Sequence, residues 1–137
     1  MGDGTSRGTA RLRRGDPVVH FRVTTVDGRN VRYANLWQHR NLVLVTLPEN
    51  DSPPSQAYAA QLAAAAAALS DHETECVITR EPVDGIGSPG VLIADRWGEI
   101  VYVATAADAS GLPSVTEILE WVAWLQNRCP ECEGEAK

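Results

Sequence analysis

The sequence predicts an α/β domain built on a mixed β-sheet, and three observations carry that expectation. Leu42–Leu47 is a continuous, β-branched apolar run, followed by an alanine-rich stretch and then by a second such run, Cys76–Thr79. A strand, a helix and a strand in that order make a βαβ unit with a parallel strand pair. Val91–Ala94 and Ile100–Val103 flank Asp95-Arg96-Trp97-Gly98, which reads as an antiparallel hairpin. The third observation is a closing segment with apolar residues at helical spacing, which supplies a layer to cover one face of the sheet.

The elements follow in order. Val18–Val23 is a short β-type run, Asp27-Gly28-Arg29-Asn30 is a turn signal, and Val31-Arg32-Tyr33 is a second strand, so the pair predicts a hairpin. Leu42–Leu47 has no polar alternation, as expected of a strand buried on both faces. Ser52 is a good helix N-cap, Pro53 suits the first helical position, and alanine favours helix through the stretch Ser55–Leu69. Residues 80–90 hold three glycines and two prolines and read as a loop. The last helix opens at Ser114, with Glu117 three residues on as a capping box. Val115, Ile118, Leu119, Val122 and Leu125 share its apolar face, and it ends near Arg128.

The composition, 44% apolar and 22% charged over 137 residues, is that of one globular domain and excludes a wholly disordered or fibrous chain. The longest apolar run, Leu62–Leu69, is far shorter than the ~20 residues that span a bilayer, so no membrane association is expected. The first residues lack the apolar core of a secretion signal, and a cytoplasmic location is expected. The net charge is −6, yet Arg7, Arg11, Arg13 and Arg14 crowd the first 14 residues against Asp3 alone. The organisation expected is a disordered basic leader over 1–14, a domain over 15–128 and an acidic tail over 129–137. An acidic body does not track phosphates, so nucleic acid is not an expected partner.

Within this frame the segment Leu42–Leu62 resembles the thioredoxin superfamily, in particular its redoxin branch of the alkyl hydroperoxide reductase and thiol-specific antioxidant type. There a buried strand runs into Cys-Pro-Pro-Cys at a helix N-terminus. Here Ser52-Pro53-Pro54-Ser55 stands at the matching distance. Gly15–Phe21 resembles the family's opening strand, Asp27-Gly28-Arg29 its first turn, and Pro89–Asp95 its cis-proline strand. The resemblance covers about residues 15–128. It implies a thioredoxin-like fold, with an N-terminal β-hairpin, a βαβ unit and a ββα unit, and with the second crossover helix shortened or missing. It also implies a groove beside Pro89, which the short loop at 80–90 is expected to leave open to an extended peptide. Both cysteine positions of the motif are serine, and serine has neither the low pKa nor the redox couple that disulfide exchange needs. The peroxiredoxin pattern Pro-x-x-Thr-x-x-Cys, started at Pro48, meets Asp51 and Pro54 where threonine and cysteine belong. A redox-inactive site at residues 52–55 is therefore expected.

The remaining thiols are Cys76, in an apolar run as a small hydrophobe, and the pair Cys129 and Cys132 in Cys-Pro-Glu-Cys. Three readings of that pair stay open. It can act as a slow dithiol or resolving pair, although the helix C-terminus and Glu131, Glu133 and Glu135 disfavour its thiolates. It can supply half of a structural zinc site, completed by His72 with Cys76 or by a second subunit. It can also be inert. Gly85-Ile86-Gly87-Ser88-Pro89-Gly90 matches a dinucleotide fingerprint by letter but leads into a strand, so that reading fails and no cofactor is expected. Ser52 as a hydrolytic nucleophile would need a base, which His20, His39 and His72 do not evidently supply. Trp37, Trp121 and Trp124 are expected in packing, with the last two also suited to a homodimer or partner surface. Two function classes follow: a binding or auxiliary protein, and a thiol-disulfide oxidoreductase working through Cys129 and Cys132 on a protein or small-thiol partner.

Overall fold

The computed structural model describes residues 11–49 and 52–127. A short hairpin opens the fold, with β1 (Arg22–Thr24) antiparallel to β2 (Asn30–Arg32) as a two-stranded sheet of its own. Beyond it come β3 (Asn41–Thr46), α1 (Pro53–Ala64), α2 (Ala66–Asp71) and β4 (Thr74–Thr79). The chain closes with β5 (Gly90–Ala94), β6 (Ile100–Thr105) and α3 (Val115–Asn127). The main sheet has the order β4-β3-β5-β6, with β3 and β4 parallel and the other two pairs antiparallel. This is the βαβ-then-ββα arrangement the resemblance implies.

β3 is buried along its whole length, and successive side chains point to opposite faces. Val43 and Val45 join Leu62, Leu69, Ile118 and Val122 beneath the three helices. Leu42 and Leu44 face the other way, into a second cluster with Phe21, Val23, Tyr33 and Leu92. The first layer is helical. The second is built from the N-terminal segment and the hairpin, because the segment between β4 and β5 contains no helix.

Three local expectations change. The first strand does not start at Val18. Gly15, Asp16 and Val18 instead bond the β5–β6 connection and the first residue of β6, through Gly15 N–H to Ile100 O, Ile100 N–H to Asp16 O and Val18 N–H to Gly98 O. The helix expected through Leu69 breaks at Ala65, whose N–H tightens onto Leu62 O, although no proline or glycine is present there. Residues 11–14, expected in the leader, join the domain at Leu12, whose N–H donates to Gly85 O at 2.8 Å and whose side chain covers Gly85. The closing helix keeps its expected face, with Ile118, Val122 and Leu125 buried and Ser114 Oγ accepting from Glu117 N–H at 3.1 Å.

Candidate functional site at the start of the first helix

β3 delivers the chain to the N-terminus of α1. Ser52 is extended there (φ −113°, ψ 157°), and its Oγ accepts the N–H of Ser55 at 3.4 Å. Pro53 and Pro54 fill the first helical positions, where their missing N–H groups cost nothing. Ser52 Oγ also donates to Ser55 Oγ at 3.2 Å, and Ser55 is 1% exposed. The two hydroxyls therefore satisfy each other and the helix end. A serine nucleophile here would need a base, and the histidines lie elsewhere. The His72 carbonyl accepts from Asn41 Nδ2 at the start of β3, His39 precedes Asn41 by two residues, and the His20 ring meets Tyr33 at a tilt and Trp37 edge-on. The start of β3 is roughly 17 Å along the strand from the end that leads to Ser52.

The Ser88–Pro89 peptide bond is cis. Thr46 pairs with Gly90, so Pro89 stands at the same end of the sheet as the chain leading to Ser52. Among the described residues, those around it are closely packed. Pro89 is buried, Thr46 Oγ1 donates to Gly87 O at 2.6 Å, and a Cβ on Gly90 would collide with that same carbonyl. With no helix to span, the loop turns on itself at a Val83–Ile86 bridge, and a Cβ on Gly90 would stand 3.1 Å from Ile86 Cγ1.

Space opens instead on the flank of α1. A cavity of about 320 Å³ lies between the helix and the segment before α3, lined by Pro54, Ala57, Tyr58, Gln61, Ala109 and Leu112 among others. Tyr58 fixes its geometry: the hydroxyl donates to Pro113 O at 2.6 Å, and burial pushes the phenol well above its ordinary pKa. The sequence offered one signal for this, a single large aromatic residue four positions before Leu62 on an otherwise small-residue helix.

Cys76 is half-buried on β4, and burial pushes its thiol up to about 12, with the Glu75 charge adding and Arg29 opposing. It borders a smaller cavity of about 190 Å³ under the hairpin turn. There Arg29 bridges Asp27 at 3.3 Å and Glu75 at 2.9 Å. Cys129 and Cys132 lie outside the described residues. Among the described residues no group of three or more His, Cys, Asp or Glu side chains could hold a metal ion, which leaves His72 and Cys76 without a third ligand there. No described helix is long and apolar enough to cross a membrane.

No family model and no curated protein matches the chain. Solved structures do match it in shape. The yeast mitochondrial 1-Cys peroxiredoxin superposes with a TM-score of 0.68 at 14% identity, over 88% of this chain and 84% of that one. The reduced 2-Cys peroxiredoxin of Plasmodium vivax gives 0.67 at 12% identity, over 84% and 82%. A thiol:disulfide interchange protein of the thioredoxin family from Chlorobium tepidum gives 0.62 at 14% identity, over 85% and 99%. The fold is thioredoxin-like.

Proposed function

We propose that this is a redoxin-type protein that keeps the thioredoxin-like scaffold without thiol chemistry at residues 52–55, and that it works as a binding or auxiliary protein. One observation carries the reading. At the helix N-terminus, where the fold favours a thiolate, Ser52 and Ser55 are engaged with each other and with the helix cap. A hydroxyl in that position stabilises the helix and transfers no electrons. The only described thiol, Cys76, stays protonated and points to no chemistry of its own. The rival reading, exchange through Cys129 and Cys132, rests on their Cys-x-x-Cys spacing.

Insulin reduction driven by dithiothreitol separates the two. Wild type is expected to match buffer, Cys129→Ser to match wild type, and the double variant Ser52→Cys with Ser55→Cys to gain turnover. Wild-type turnover that disappears in Cys129→Ser would overturn the proposal and move the active site to the C-terminal pair.

A further inference from the structure

The distribution of charge around the α1 cavity tells what it can hold. Between Asn41 and Thr79, and again between Trp97 and Asn127, the sequence contains no lysine or arginine. All three helices and the segment before α3 fall within those stretches. Every element that forms the cavity is therefore without a cation. Carboxylates do stand at its edge. Ser110 lines the cavity and is bonded to Asp108, which accepts its N–H at 2.8 Å and its hydroxyl as well. Those bonds hold the Asp108 carboxyl below the usual range, so it is ionised at neutral pH. Ser114 also lines the cavity and caps the N–H of Glu117, whose charge is felt at the Tyr58 hydroxyl. Apart from Gln61, the walls between these acids are apolar: Pro54, Ala57, Tyr58, Ala109 and Leu112.

An apolar recess whose rim, among the described residues, is acidic and without a cation favours one kind of occupant. We propose that the cavity docks an aliphatic side chain carried between arginines or lysines on an extended segment of a partner protein. Burial of the apolar side chain supplies the affinity, and the carboxylates supply the preference for basic neighbours. The inference rests on the binding role proposed above and names the chemistry of the partner. An acidic segment would bring like charge to Asp108 and Glu117, and a neutral one would gain nothing from them.

The test is calorimetric titration of the full chain with two synthetic peptides, Ac-Gly-Arg-Leu-Arg-Gly-NH2 and its counterpart with glutamate for arginine. The arginine peptide is expected to bind at least about tenfold more tightly at low salt, with the gap closing at about 0.5 M salt. Ala57→Phe, which fills the recess from an exposed helix position, should weaken binding at least about tenfold. Glu117→Gln should weaken it about threefold, and only at low salt. A circular-dichroism melt checks that Ala57→Phe folds, and Glu117→Gln keeps the test decisive if it does not. Equal binding of the two peptides, undiminished binding to folded Ala57→Phe, or no binding at millimolar peptide would each overturn the inference. So would self-association that excludes the peptide and is lost in folded Ala57→Phe, which would give the cavity to a second copy of this chain. None of these results bears on insulin reduction, so failure here leaves the reading of Ser52 and Ser55 standing.

Discussion

Ser52 turns the chain from extended backbone into α1 by accepting the N–H of Ser55, one of the helix's unsatisfied donors. Removing the hydroxyl exposes that donor. Ser52→Ala is expected to lower the unfolding free energy by about 1 kcal/mol in urea titration, whereas Ser52→Asp should retain most of it. A Ser52→Ala protein as stable as wild type would mean the cap contributes nothing. Cys76 gives a prediction about pH. Its thiol ionises near the ordinary value of 9 when unfolded and near 12 when folded, so the folded state favours the protonated form. The stabilisation is fully present below pH 9 and is lost as the pH rises from 9 towards 12. At pH 8 a shift of that size leaves roughly a thousandfold less thiolate in the native protein. In a Cys129→Ser, Cys132→Ser background, iodoacetamide should therefore label Cys76 far more slowly in buffer than in urea. Comparable rates would show that the thiol is open to solvent.

At the scale of elements, the hairpin places Arg22 directly opposite Arg32, with Val23 and Val31 as the next pair. Like charges across an antiparallel pair repel, so Arg32→Glu is expected to stabilise the protein by about 0.5 kcal/mol at low salt. The thermal midpoint should rise, and the gain should shrink as salt is added. A lower midpoint would mean that Arg32 has a favourable role that the pairing does not reveal. The turn of this hairpin was legible because Asp27-Gly28 is local chemistry, and Gly28 does adopt a positive φ of 91°. The Ser52 cap, Pro53 at the helix start and the apolar face of α3 were legible for the same reason. Pairing is not local. The run Val18–Phe21 has β-type residues, yet its backbone partners are split, with Val18 N–H on Gly98 O eighty residues away and Phe21 O accepting from Tyr33 N–H, so it forms no long strand. The break at Ala65 leaves no mark in a run of alanines. In the candidate site, the residue identities at 52–55 were legible, while the closed loop over Pro89 and the cavity beside Tyr58 depend on how separate elements meet.

The whole molecule is asymmetric about its sheet: helices cover one face, and the other is covered by the N-terminal segment where a crossover helix is absent. That makes the first described residues structural. Leu12 is only half-buried, but a Cβ placed on Gly85 would stand 2.6 Å from its Cγ, so the leucine rests on bare backbone. Gly85 also has a φ of +87°, which an L side chain rarely adopts. Gly85→Ala therefore carries two costs, a backbone strain of about 1 kcal/mol and a clash with Leu12. Leu12→Ala carries a different cost, roughly 1 kcal/mol of lost apolar burial, and removes the object of the clash. The double variant should then be more stable than the two single losses added together, by at least about 0.5 kcal/mol. Urea unfolding of the four proteins measures that difference. Strict additivity would mean that Leu12 does not lie on Gly85, and the second face of the sheet would lack the cover that replaces the missing helix.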